Sequence, residues 1–232
     1  MTLVLLIRHA HSVANASGIL AGRTEGVHLS PRGKREAQEL AKRLGELPIK
    51  SLRSSPMERC GETIAPWLGR TALTNPKLTL HIDSDLSEVD YGDWTGRKLR
   101  TLSREPLWKT VQEHPSKVTF PKGESMIAMQ KRAMGALENG LSRRGKGHVI
   151  LISHGDVLKS IIASALKMSL DEFQRIVIDP ASISILDYSS SKPRLLLMND
   201  SRSRLNPDLF LDRSKRLLVG GGAGVKTKGG RL

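Results

Sequence analysis

The run Leu3-Val4-Leu5-Leu6-Ile7-Arg8-His9 and the distant run His148-Val149-Ile150-Leu151-Ile152-Ser153-His154 share one form: a short apolar stretch that ends in a polar residue and a histidine. A continuous Leu- and β-branched run without polar alternation is the pattern of a strand buried on both faces of a parallel sheet. Beyond the first run, residues 10–29 read as a long polar loop. Ser30-Pro31, followed by Ala37, Leu40, Ala41 and Leu44, predicts a helix with Ser30 as its cap and Pro31 in its first turn. Residues 49–52 read as a weak second strand, and Ser55-Pro56 as the start of a helix running to about Leu68. A short strand over 78–82 and a helix over 124–141 follow, the latter with Met126, Met129, Ala133 and Leu137 on one face. Gly155 opens a helix carrying Val157, Leu158, Ile161, Ile162 and Ala165, and residues 183–188 and 194–198 read as two last strands. The segment 86–121, rich in glycine and charge, has little clear period and reads as an insertion over the ligand edge.

Strands alternating with helices predict a three-layer α/β/α fold with a mostly parallel sheet, whose ligands gather at the carboxyl ends of the strands. The 232 residues, 38% of them hydrophobic, suit one domain over residues 1–212. The Gly-rich, basic stretch 213–232 has too little apolar surface to offset its ordering entropy and reads as a disordered tail. The single Cys60 rules out an internal disulfide framework, and no Cys/His cluster has the spacing of a structural zinc site. No stretch approaches the roughly 20 apolar residues of a membrane span, and no basic flank marks residues 3–7 as a signal peptide, so the expectation is a cytoplasmic protein without membrane contact. The net charge of +14 invites a nucleic-acid partner, but six of the basic residues and no acidic ones fall in 213–232, leaving +8 spread over residues 1–212. With only 3% aromatic residues there is no stacking surface, and a basic field equally draws small anions.

If the two opening strands are neighbours in a parallel sheet, His9 and His154 project from one edge and meet over one ligand. Taken alone, each is more readily a hydrogen-bonded histidine at a strand end. The surroundings decide. Arg8-His9-Ala10-His11-Ser12 with Asn15, then Ser54-Ser55-Pro56 with Arg59 and Thr63, then Leu86 with Glu88, Gly92, Trp94 and Gly96, and last Ser153-His154-Gly155, stand in an order that resembles the histidine phosphatase superfamily, also called phosphoglycerate mutase-like. Four motifs over about residues 3–198 carry the resemblance.

The resemblance implies a metal-independent, cofactor-free phosphatase acting on a small phosphorylated metabolite through a phosphohistidine. His9 is then the nucleophile, which requires a neutral imidazole with one nitrogen free and the other tied down as a donor. Arg8 and Arg59 clamp the phosphoryl oxygens and disfavour an imidazolium beside them, with His154 and Asn15 as further donors. Glu88 is the matching proton donor for the leaving oxygen and the base for water, with Glu62, Asp90 and Asp93 as nearby competitors. Gly22 matches the position where a backbone amide approaches the substrate, although a simple turn accounts for it as well. Trp94 is expected to pack beneath its loop, His11 to sit at the rim, and Gly123-Glu124-Ser125 to cap a helix.

Departures from the family pattern separate the branches. Ala10 stands where most members have glycine. The cofactor-dependent mutases carry Arg after the acid, a nearby Arg pair and Asn after the second His-Gly; here Val89, no Arg doublet and Asp156 stand there, while Tyr91 keeps the mutase-like spacing. The reading therefore favours a phosphatase over a cofactor-dependent phosphoglycerate mutase, and both over a non-catalytic anion- or RNA-binding module on the same fold. The substrate, and whether the chain is a monomer or a homodimer, are not readable from the residues.

Overall fold

The computed structural model describes residues 2–205 and 210, so the expected tail at 213–232 lies outside the described residues. Six strands, β1 (Leu3–Arg8), β2 (Ile49–Ser54), β3 (Leu80–Ile82), β4 (His148–Ser153), β5 (Ile183–Asp187) and β6 (Arg194–Asp200), form one sheet in the order β3-β2-β4-β1-β5-β6. β1, β2, β3 and β4 run parallel, β5 is antiparallel to β1, and β6 returns antiparallel to β5. The helices are α1 (Val13–Ser17), α2 (Pro31–Leu44), α3 (Glu58–Thr71), α4 (Leu99–Leu102), α5 (Pro106–Glu113), α6 (Met126–Ser142) and α7 (Gly155–Ala165).

The apolar runs of β1 and β4 are buried throughout because each strand feeds two cores. Leu3, Leu5, Ile7, Ile150 and Ile152 pack with Leu40, Leu44, Ile64 and Trp67 of α2 and α3. Val4, Leu6, Val149 and Leu151 face the other way, onto Met129, Leu137, Val157 and Ile161 of α6 and α7. Successive side chains on a strand alternate faces, so a run without polar interruption serves both layers. The expected three-layer α/β/α fold is the one observed. No helix among the described residues is long and apolar enough to cross a membrane.

Local signals behaved unevenly. Ser30 caps α2 as expected, its hydroxyl accepting from the Gly33 amide with Pro31 in the first turn. Ser55-Pro56 does not open α3. The helix starts at Glu58 after Met57, runs through Pro66 to Thr71, and leaves Ser55 outside it. The polar stretch after β1 is not all loop: Ser12 and Asn15 form a reciprocal capping box that starts the five-residue α1. The aperiodic segment 86–121 holds α4, α5 and short 3-10 turns, with Trp94 stacked on Trp108 and edge-on to Phe120. Trp94 is thus a packing residue, as expected.

Leu5 is fully buried at the centre of β1. Leu5→Ala is expected to lower unfolding stability by about 3 kcal/mol, read from the urea midpoint, because little around a central strand can close the cavity.

Candidate active site

The pairing of β1 with β4 sets Ile7 opposite Ile152 and Arg8 opposite Ser153, so the next residues, His9 and His154, leave the sheet side by side. The His9 amide still donates to the Ser153 carbonyl at 2.9 Å, which extends the ladder one residue past the end of β1. The imidazole centroids are 5.1 Å apart, edge to face. On the far side of β4, β2 ends level with them: the Ser55 amide donates to the Ile152 carbonyl at 2.9 Å, and the Ser55 hydroxyl lies 2.8 Å from His154 Nε2.

The first turn of α3 contributes Arg59, a buried guanidinium. Its Nη2 donates to the Gly22 carbonyl at 2.8 Å and lies 3.2 Å from His154 Nδ1. Arginine only donates, so His154 accepts at Nδ1 and, when neutral, carries its proton on Nε2 toward Ser55. His9 is oriented in the complementary sense. Its Nδ1 lies 2.8 Å from the Ala10 carbonyl, which can only accept, so the proton sits on Nδ1 and the lone pair is on Nε2. Burial, followed by the charges of Arg59 and Arg8, holds the His9 pKa well below the usual histidine range. Burial and Arg59, with His9 and Arg8 behind them, do the same to His154. Both rings are therefore neutral at neutral pH.

Arg8 donates from Nη1 to the Ile178 carbonyl at 2.5 Å. Arg8 Nε and Arg59 Nη1 are buried and have no hydrogen-bond partner among the described residues. An unpaired buried guanidinium N–H is costly unless an anion completes it. Arg8, His9, Arg59, Asn15, Gly22 and Glu88 line one cavity of about 180 Å³, which also meets apolar Ile19, Leu20 and Leu99 and acidic Asp156. Asn15 spends its Oδ1 on the Ser12 amide and hydroxyl at 2.9 and 3.0 Å, which leaves its NH₂ as the end able to donate to a ligand. Gly22 has φ +52°, and a Cβ there would come within 2.9 Å of Thr95 Oγ1. Glycine is thus required for the turn itself, and its carbonyl is what holds Arg59.

Glu88 reaches the same place from the segment after β3. Its Oε1 accepts from the Val89 amide at 2.9 Å, and its Oε2 lies 3.8 Å from His154 Nδ1. Burial, reinforced by the charge of Asp156, raises its pKa to about 7. The competing carboxylates are engaged elsewhere: Glu62 with His28 and the Leu29 amide, Asp90 with the Gly92 amide, and Asp93 with Lys122. His11 turns to Ser30, away from the cavity, and Ser125 caps α6 as expected. Ser55, Tyr91 and Asp156 have site contacts that motif reading did not give them: the Tyr91 hydroxyl donates to Asp156 Oδ2 at 2.9 Å and Lys159 donates to Oδ1 at 3.2 Å. Cys60 is buried 3.6 Å from His154 Nε2, and burial pushes its thiol up to about 12.

Residues 4–201 match the model of the histidine phosphatase superfamily (branch 1). The chain is 29% identical over 203 residues to phosphoserine phosphatase 1 of Hydrogenobacter thermophilus, covering 86% of this chain and 92% of the relative. It is 30% identical over 197 residues to a probable phosphoglycerate mutase GpmB of Cronobacter sakazakii, covering 82% and 87%. Among solved structures, Bacillus stearothermophilus YhfR superposes with a TM-score of 0.78 at 23% identity over 86% of this chain and 98% of its own. A mycobacterial glucosyl-3-phosphoglycerate phosphatase complexed with VO3 gives 0.76 at 21% over 86% and 99%, and these two likenesses speak for the fold.

The raised Glu88 pKa has a thermodynamic sign. Its folded value lies above the unfolded one, so its contribution to stability is present below the ordinary carboxylate range and is lost as pH climbs through about 7. Glu88→Gln is therefore expected to raise unfolding stability by about 2 kcal/mol at about pH 8 and by less at about pH 5, measured by denaturant titration at both.

Proposed function

The chain belongs to the histidine phosphatase superfamily, branch 1, and on that premise we propose that it hydrolyses small phosphate monoesters, without a metal or organic cofactor, through a phosphohistidine on His9. The observation that carries the reading is a neutral imidazole with its Nε2 lone pair unclaimed, set beside the guanidinium groups of Arg8 and Arg59, each with a buried N–H that has no partner among the described residues.

A substrate phosphate fills the unpaired donors of Arg8 and Arg59, and the Asn15 amide adds a neutral donor. His9 Nε2 attacks phosphorus in line while the ester oxygen leaves, and the protonated Glu88 carboxyl gives that oxygen its proton. Glu88, now ionised, takes a proton from water, whose oxygen attacks phosphorus and frees His9 and inorganic phosphate. A group that must act as acid and then as base works best with a pKa near the ambient pH, and a value of about 7 meets that requirement. His154 enters as an acceptor from Arg59, not as the simple donor that motif reading suggests. By accepting at Nδ1, the neutral His154 ring fixes the guanidinium of Arg59 that holds the phosphate.

Relatives named as phosphatases and as probable mutases both match, and Val89 and Asp156 favour hydrolysis. Val89 is buried, so no cation follows the acid, and Asp156 would repel a substrate carboxylate from that side of the cavity. The reduced, buried Cys60 and the small anionic substrate fit a cytoplasmic enzyme.

Wild-type protein is expected to hydrolyse 4-nitrophenyl phosphate at a rate unchanged by excess chelator, and His9→Ala to lose at least about a thousandfold in kcat. Retained turnover in that variant would remove the nucleophile. With an ester of poor leaving group, kcat/KM is expected to decline above about pH 7 as Glu88 ionises, and Glu88→Gln to flatten that limb. Incubation with 3-phosphoglycerate and its bisphosphate primer separates the branches: phosphate release is expected, and isomerisation without release would make the enzyme a mutase.

A further inference from the structure

The acid-bearing segment has an unusual means of support. Consecutive carbonyls from Asp85 to Glu88 are each held by a side chain from elsewhere in the fold. Arg132, on α6, donates from Nη1 to Asp85 at 2.8 Å and to Ser87 at 2.7 Å, and from Nη2 to Glu88 at 3.1 Å. The Ser153 hydroxyl, one residue before His154, donates to Leu86 at 2.7 Å. Arg23 supplies a second donor to the Glu88 carbonyl, from Nε at 2.9 Å. Glu124 ties the two guanidinium groups together. Its Oε1 accepts from Arg23 Nη2 at 2.9 Å, Arg132 Nη2 at 2.6 Å and the Asp90 amide at 2.9 Å, and its Oε2 from Arg132 Nε at 3.0 Å.

We propose that Arg23, bridged by Glu124 to Arg132, is a positioning residue for Glu88, acting through the main chain of residue 88 without touching substrate. The carboxyl group of Glu88 is folded back onto the amide of its own successor, Val89, at 2.9 Å, so its place in the cavity follows the main chain at 88–89. Arg132 anchors that main chain from the helix layer, and Arg23 anchors it from the loop that also lines the phosphate cavity. Gly22, directly before Arg23, offers its carbonyl to Arg59 at 2.8 Å. The dipeptide Gly22-Arg23 therefore connects the phosphate clamp to the acid: one residue is held by Arg59, and the next holds Glu88. Surface ion pairing alone would not require this arrangement. Arg23 is 38% exposed, yet two of its nitrogens are aimed at partners that both bear on residue 88 or the residues that follow it.

The inference rests on the phosphatase reading and on Glu88 as the acid, and a leaving-group comparison tests it. In the first transfer, an ester with a good leaving group such as 2,4-dinitrophenyl phosphate needs no proton, whereas phenyl phosphate does, and kcat/KM reports that transfer alone. Arg23→Ala is expected to lower kcat/KM for phenyl phosphate by about 10- to 100-fold while changing that for the dinitrophenyl ester by less than about twofold. Glu124→Gln should show the same divergence, and Arg23→Lys, which restores one donor, should recover part of it. The melting temperature of Arg23→Ala should stay within about 2 °C of wild type, since the side chain lies at the surface. Equal losses on both esters, or no loss on either, would overturn the positioning role while leaving the phosphatase reading intact. Failure of wild-type protein to hydrolyse either ester would overturn both.

Discussion

The parallel pairing of β1 with β4 in the register that faces Arg8 with Ser153 is the constraint from which the site follows. The two strands are separated by most of the chain, so nothing local brings His9 to His154. Burial does. Each strand presents alternate side chains to two different cores, and a slip of one residue would exchange those sets and set the histidines at different heights. Once β4 is fixed, β2 on its other flank delivers Ser55 and the first turn of α3, and with it Arg59, to the same edge. Antiparallel β5 closes the far side of β1 and hands Ile178, from the loop before it, to Arg8.

The charges at this edge are arranged for an anion and at some cost to the fold. Two guanidinium groups keep buried donors without a partner among the described residues, which a bound anion completes. The same burial depresses both histidines and lifts Glu88. One physical cause, removal from water, thereby leaves a lone pair on His9 and a proton on Glu88 at the same pH, below about 7. The stability surrendered around Glu88 is the counterpart of that preparation.

Much of this was legible in the sequence, for reasons that differ by residue. β1 and β4 were readable because a doubly buried strand has no polar alternation, and His9 and His154 because each directly follows one. Arg8, Arg59, Asn15 and Glu88 were legible only as members of ordered motifs, and all line one cavity with His9. Ser55 was misread because Ser-Pro before an apolar period carries the signature of a helix cap, whereas here its hydroxyl is spent on His154. Helix α1 was missed because five residues hold too few turns to show a period. Arg23, Glu124, Arg132 and the Tyr91–Asp156 contact were illegible in principle: apart from the Arg132–Glu124 pair, 8 residues apart on one stretch, the partners lie 34 to 101 residues away, and no local pattern distinguishes an arginine that holds a carbonyl from one that faces water.

Cys60 sits within 3.6 Å of a ring central to the site and carries a thiol pushed up to about 12. A sulfur kept protonated and sealed from solvent offers neither the thiolate nor the access that peroxide and alkylating agents require. With its lone thiol silenced in this way, the chain offers oxidants no reactive cysteine beside its ligand edge.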